Sequence, residues 1–207
     1  MNEANGRYFI IYKPRDMVSQ FVSSHKVKLL GDLNYNFPEG THAVGRLDSN
    51  SEGLLLLTTN KKVTRLLFES DVPHKRSYLV QVRHVVREET IQQLKEGVVI
   101  RAKGGGDYLT DPCEASIVAD PSKFLPINDD IKDYPNYSWI MIILTEGKYR
   151  QVRKMVAAVR HQCRRLIRVS IEDMTFQDLQ PGEVKEINEK EFFDKLRIEA
   201  PLPSIPA

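Results

Sequence analysis

The chain has 207 residues, 41% of them hydrophobic, 28% charged and 8% aromatic, with a net charge of +2. This is the balance of a soluble globular protein with one well-buried core, or two small lobes sharing one. No uncharged apolar stretch approaches the ~20 residues needed to cross a bilayer, polar residues 1–5 lack the core of a signal peptide, and two distant cysteines, Cys113 and Cys163, exclude a disulfide framework or a Cys-x-x-Cys motif. A cytoplasmic location with reduced thiols is expected.

Tyr8, Phe9, Ile10, Ile11 and Tyr12 are β-formers closed by Lys13-Pro14, which predicts a strand ending in a turn. Residues 54–59 read as a buried strand. Asn60 reads as the N-cap of a helix in which Val63, Leu66 and Leu67 recur at helical spacing. Tyr78, Val80 and Val82 alternate with Leu79, Gln81 and Arg83, giving another strand. A helix is predicted over 88–96, with Ile91 and Leu94 inward and Gly97 as its stop. Short strands follow at 98–100 and 114–119, separated by a loop through Gly104, Gly105 and Gly106 that is expected to be mobile. Residues 120–136, with Pro121, Pro126, Asp129, Asp130, Asp133 and Pro135, read as a surface insertion. A strong strand is predicted over 139–144. An amphipathic helix follows over 150–159, with Val152, Met155, Val156 and Val159 inward and cations outward. Further strands are expected at 166–171 and, after Pro181-Gly182, at 184–187. Asn188 caps a last helix carrying Phe192, Phe193 and Leu196, and the proline-rich tail 201–207 is expected to fray. Strands outnumber helices without regular alternation, so the fold class is α+β with a mixed, mostly antiparallel sheet. Residues 1–200 are expected to form one domain without internal repeats.

Residues 144–170 carry Lys148, Arg150, Arg153, Lys154, Arg160, Arg164, Arg165 and Arg168 against Glu146 alone, a net +7 within a chain of net +2. A one-signed stripe on an otherwise acidic protein points to a polyanionic partner.

The densest chemical signal is Gly45-Arg46-Leu47-Asp48, running into Ser51-Glu52-Gly53-Leu54-Leu55-Leu56-Leu57-Thr58. It sets one aspartate at the lip of a sheet, with a cation two residues before it. Such a carboxylate can be a nucleophile or a base. Singly, the candidates have plain structural roles: Asp48 as a turn or cap, Tyr78 as core, Arg153 as a solvated charge. His42, His74 and His161 do not have the spacing of a metal site, and Gly104-Gly105-Gly106 lacks the Lys-Ser/Thr of a phosphate-binding loop.

Two further segments change the weighing. Arg76-Ser77-Tyr78-Leu79-Val80-Gln81-Val82 and Glu146-Gly147-Lys148-Tyr149-Arg150-Gln151-Val152-Arg153-Lys154-Met155 follow in order. With the Asp48 segment they closely resemble the RsuA/RluB/E/F family of RNA pseudouridine synthases, from about Tyr8 to about Ile187. The resemblance implies two subdomains around a central RNA-binding cleft, and isomerisation of uridine within RNA without metal, nucleotide or redox cofactor. It places the family's aspartate on Asp48, its tyrosine on Tyr78, its arginine on Arg153, and an apolar residue against the target base on Leu166. Many relatives carry an N-terminal S4 RNA-binding domain. Here Tyr8 already begins the catalytic fold, so the chain is expected to fall in the branch without that domain, which modifies one uridine of 23S ribosomal RNA. Arg76 stands for the usual lysine before the tyrosine and is left out of the catalytic set. Asp16 stands for a frequent glycine and is expected to alter a turn without harming activity.

Residue chemistry agrees with this. Breaking a glycosidic bond without external energy calls for an ionised carboxylate that adds to the sugar or to the pyrimidine ring. A bidentate pair with Arg153 would keep Asp48 ionised and oriented. Tyr78 offers a face for the base and a hydroxyl to move a proton at C5. The uridine must leave its stack, and Arg46, Arg150, Lys154, Arg164, Arg165 and Arg168 are the candidate phosphate contacts. The expected partner is ribosomal RNA, the expected state a monomer off the membrane. Two other readings compete. A catalytically silent ribosomal-RNA-binding or ribosome-assembly protein would share the cationic stripe but not need Asp48, Tyr78 and Arg153. A glycoside hydrolase would pair Asp48 with Glu52, but the stripe and the few aromatics near Asp48 argue against a neutral sugar.

Overall fold

A computed structural model of the chain describes residues 6–68, 72–127, 129, 131, 136–176 and 178–199. The expected tail, and residues 128, 130 and 132–135 of the expected insertion, lie outside the described residues. Two apolar runs with no polar face set the centre of the fold: β1 (Tyr8–Lys13) is buried at every position, and after the short β2 (His42–Val44) so is β3 (Glu52–Thr58). Strands buried on both faces belong in the middle of a sheet with both sides covered.

Asn60 accepts a hydrogen bond from the Lys62 amide at 3.0 Å ahead of α1 (Val63–Phe68), as its position predicts. Then come β4 (Arg76–Arg83) and α2 (Glu88–Glu96), which stops at Gly97 with φ 96°. The triglycine is the turn of a hairpin between β5 (Val99–Arg101) and β6 (Asp107–Leu109), its three φ values all positive. β6 escaped sequence reading because three residues carry no periodicity. β7 (Glu114–Val118) leads to a 3-10 turn at Pro121–Phe124, opened by the Asp120 carboxylate on the Ser122 amide. β8 (Tyr137–Leu144), α3 (Gln151–Ala158) and β9 (Gln162–Ile171) follow. β9 starts four residues earlier than predicted, because its polar first turn still pairs with β4. β10 (Met174–Thr175), β11 (Val184–Ile187) and α4 (Glu189–Leu196) complete the chain, with the Asn188 side chain accepting from the Glu191 amide at 2.8 Å.

The sheet runs β11-β1-β3-β9-β4-β8-β7, with β2 on β3 and β10 on β9. Its named pairings are antiparallel except β3–β9, which is parallel and consists of Glu52 opposite Ile167 and Gly53 opposite Arg168. That seam joins the two halves of the sheet. Gly53 explains how they come so close: at φ 96°, a Cβ there would lie 2.4 Å from the Arg168 carbonyl oxygen. One core cluster holds Tyr8, Ile10 and Tyr12 with α1 and α4. A second lies beneath α2 and α3, against Val80, Val82 and Leu166. A third sets Phe9, Ile11, Leu55 and Leu57 against Met17, Leu30, Leu33 and Leu47. Among the described residues no helix is long and apolar enough to cross a membrane.

Candidate active site

Asp48 lies in the loop that leads into β3, directly before the seam. The backbone of this loop is held from several sides. The Ser19 hydroxyl donates to the Leu47 carbonyl at 2.9 Å and accepts from the Leu47 amide at 3.0 Å. The Ser49 carbonyl accepts from the Asp16 amide at 2.7 Å and from Lys13 Nζ at 3.3 Å. Asp16 sits at φ 62°, in the left-handed region that favours glycine, which accounts for the glycine expected there; aspartate tolerates it. Lys13 is wholly buried and also donates to the carbonyls of Pro14 and Met17, at 2.8 and 2.6 Å. Burial pushes its ammonium down to about 8, against the pull of Glu52, Asp16 and Asp48. Sequence reading took Lys13 only as the end of a strand. No signal in the sequence marks its burial, because lysine is almost never fully buried.

Arg153, on α3, reaches the far side of the same loop. Its Nη2 donates to the Asn50 carbonyl at 2.8 Å and the Ser51 hydroxyl at 3.2 Å, and Nη1 to Cys163 Sγ at 3.4 Å. The expected bidentate Asp48–Arg153 pair is therefore not formed: these donors hold the loop's backbone instead. Among the described residues no hydrogen bond or ion pair engages the Asp48 carboxylate, which is half-buried.

On the other side of the loop, Arg46 lines a cavity of about 550 Å³ with Tyr78, Arg76, Lys148 and Arg168. Tyr78 and Arg168 are cross-strand partners on β4 and β9. Arg168 is 3% exposed, its Nε donates to the Leu54 carbonyl at 2.9 Å, and its guanidinium lies against the Tyr78 hydroxyl. Burial lowers its pKa. Its expected role as a phosphate contact is corrected: it is a cation built into the wall behind Tyr78. Arg76 donates to the Thr145 carbonyl at 2.6 Å and lies over the Phe68 ring. Leu166, 5% exposed, sits in the core under α3 beside Val80. The Glu146 carboxylate accepts from Tyr108 Oη, the Asp111 amide and Gln151 Nε2 at 2.5, 2.9 and 2.5 Å, so it fixes the turn into α3.

The remaining cations divide. Arg46, Arg150 and Arg164 are exposed. Lys154 donates to the Arg101 carbonyl at 2.6 Å and lies over Tyr149, docked on the β5 hairpin. Arg165 is a second correction. It grips Glu52 through Nε and Nη2 at 3.0 and 2.8 Å, and Asp129 through Nη1 and Nη2 at 2.5 and 2.8 Å. A guanidinium held by two carboxylates is neutralised for RNA. The same triad removes Glu52 as a second catalytic acid.

The sequence model of the RNA pseudouridylate synthase family matches residues 7–158. Ribosomal large subunit pseudouridine synthase E of Vibrio vulnificus (strain CMCP6) is 35% identical over 189 residues, 89% of this chain and 76% of that protein. The protein of the same name from Xanthomonas axonopodis pv. citri (strain 306) is 31% identical over 175 residues, 83% of this chain and 89% of its own. A crystal structure of pseudouridylate synthase superposes with a TM-score of 0.72 at 25% identity, over 93% of this chain and 74% of that one. A chain of a Cbf5-Nop10-Gar1 complex shares the fold at a TM-score of 0.53 and 14% identity, over 82% of this chain and 50% of that one. With likeness running through the segments that carry Asp48, Tyr78 and Arg153, the chain belongs to the RNA pseudouridylate synthase family, in its RsuA/RluB/E/F group, and is an RNA pseudouridine synthase.

Proposed function

We propose that this enzyme converts one uridine of large-subunit ribosomal RNA to pseudouridine, with Asp48 as nucleophile, acting in the cytoplasm as a monomer without a cofactor. One observation carries the assignment of Asp48. Its loop is held through Leu47, Ser49, Asn50 and Ser51, while its carboxylate caps no amide and pairs with no cation among the described residues. A turn or capping aspartate would be bonded; this one is positioned and left available. The relatives named for large-subunit synthase E support the ribosomal target.

In the reaction the N1–C1′ bond breaks and a C5–C1′ bond forms. C5 loses a proton and N1 gains one, so nothing is added or removed overall. Asp48 adds to the sugar or the ring and leaves unchanged. In this reading Tyr78 stacks on the flipped base and carries the C5 proton, which the Arg168 guanidinium behind its hydroxyl supports.

The test incubates ribosomal RNA from a strain lacking this gene with the wild type or Asp48→Asn, then maps pseudouridine by carbodiimide labelling and primer extension. One new stop with the wild type and none with the variant, which still binds RNA, is expected. Variant turnover within tenfold of wild type would remove Asp48 as nucleophile. No stop with either, despite tight binding, would favour a silent ribosome-assembly protein.

A further inference from the structure

Arg153 also lines a groove of about 490 Å³, separate from the cavity that Tyr78 lines. It is lined by the four guanidinium groups of Arg83, Arg150, Arg153 and Arg160 and by His84 and His161, and no carboxylate is among the lining residues. The Tyr78 cavity includes Glu146, and the cavity over Arg165 includes Glu52 and Asp129, so those two linings mix charges where this one does not.

Its backbone is unusual as well. Of the six non-glycine residues with positive φ among the described residues, three line this groove: His84 at 74°, Arg150 at 53° and Arg160 at 65°. At Arg160 this is the left-handed residue that ends α3, with the His161 amide on the Val156 carbonyl at 2.8 Å; at His84 and Arg150 it costs of order 1 kcal/mol or more each, a cost that concentrates where side chains are aimed for function. The aiming is rigid. The His84 amide donates to the Asn136 carbonyl at 2.6 Å, His161 Nδ1 meets the Arg83 carbonyl at 2.9 Å, and the Arg160 amide donates to the Ala157 carbonyl at 3.0 Å. Arg83, Arg150 and Arg160 are exposed and have no ion-pair partner among the described residues. Through Arg153 the groove abuts Asn50 and Ser51, two and three residues from Asp48.

We propose that this groove holds the RNA phosphodiester strand running to the flipped uridine, so that the base enters on the Tyr78 side of the Asp48 loop while the flanking backbone is gripped on the Arg153 side. The proposal rests on the RNA-modifying function above. It assigns Arg83 and Arg160, with His84 and His161 beside them, as backbone-positioning contacts. Phosphates fit where several cations converge without an acid, and each phosphate neutralised on a single strand adds about 0.7 to the log–log salt slope of binding.

The test compares Arg83→Gln/Arg160→Gln with Arg83→Lys/Arg160→Lys. Both pairs change the same two positions, and only the first removes charge. The probe is a fluorescein-labelled single-stranded oligouridylate, and ribosomal RNA from the deletion strain serves for turnover. The glutamine pair is expected to bind the probe ~10-fold or more weakly at low salt, with a slope smaller by about 1.4. Its loss on ribosomal RNA falls on KM rather than kcat, and the lysine pair recovers most of both. Unchanged affinity, slope and KM in a wild-type-active background overturns the groove and leaves the synthase reading intact. Equal loss in both pairs, with lowered melting temperature, also overturns it. Weakened probe binding together with no pseudouridine from the wild type would keep the groove and count against the synthase reading.

Discussion

At the scale of single residues, the site depends on what holds Asp48 rather than on what touches it. Lys13 makes this testable. Its ammonium serves three carbonyls, whereas a neutral amine has only two hydrogens. Deprotonation near pH 8 therefore releases one bond, and the longest is that to the Ser49 carbonyl beside Asp48. Turnover is expected to fall along an alkaline limb with a midpoint near 8, and Lys13→Met should turn over more slowly but lack that limb. A wild-type profile flat through pH 8 would detach Lys13 from the loop's function. The stability consequence has the opposite sense. Burial lowers the folded pKa from 10.5, so the unfolded chain holds the proton more tightly, and folded stability attributable to Lys13 rises with pH between about 8 and 10.5. Denaturant titrations of the wild type against Lys13→Met should show it. The place of Asp48, in the loop ahead of a buried strand, was legible from its motif. The partners of Arg153 were not: a guanidinium in sequence looks for a carboxylate, and only the fold reveals that the Asn50 carbonyl lies closer to hand.

Between elements, the seam from β3 to β9 carries most of the risk. Gly53→Ala would drive a methyl into the Arg168 carbonyl at a φ that disfavours any side chain. A loss of more than ~1 kcal/mol in stability is expected, with turnover falling further than stability because Asp48 precedes the seam. Full activity in a folded Gly53→Ala enzyme would show that the seam's geometry is not needed. Beside it, Arg165 faces the 8%-exposed Glu52 and the 3%-exposed Asp129. Arg165→Met strands two buried carboxylates and should cost about 3–5 kcal/mol. Thermal melting reads that directly, and RNA affinity should change little in comparison. β1 was legible from its run of β-formers, and segments with a clear period were legible as well: α2, the buried face of α3, and α4 with its asparagine cap. β2, β6 and β10 span two or three residues, too few to show alternation, and exist because a neighbouring strand offers them partners. The second corrected cation illustrates the same limit. Arg164 and Arg165 are adjacent in a basic stripe, yet pleating sends one to solvent and the other onto two acids.

Across the whole molecule, charge is sorted rather than merely accumulated. The stripe of residues 144–170 splits into structural cations, the half-buried Arg165 and the buried Arg168, and exposed ones, Arg150, Arg160 and Arg164. RNA binding should consequently weaken with salt as fewer contacts than the stripe's net +7 would suggest. A log–log titration of affinity against salt gives that count. A flat response between low and physiological salt would remove this face as the RNA site.

The parallel seam also fixes when the enzyme can first work. Its two sides, Glu52–Gly53 and Ile167–Arg168, are made far apart in time on the ribosome. The aspartate's loop emerges early, but β9, the strand that closes the seam and backs Tyr78, follows both β4 and α3. Pairings of such long sequence separation form late in folding. On the ribosome this seam can close only after Ile167 and Arg168 have left the exit tunnel, more than a hundred residues after the Asp48 loop.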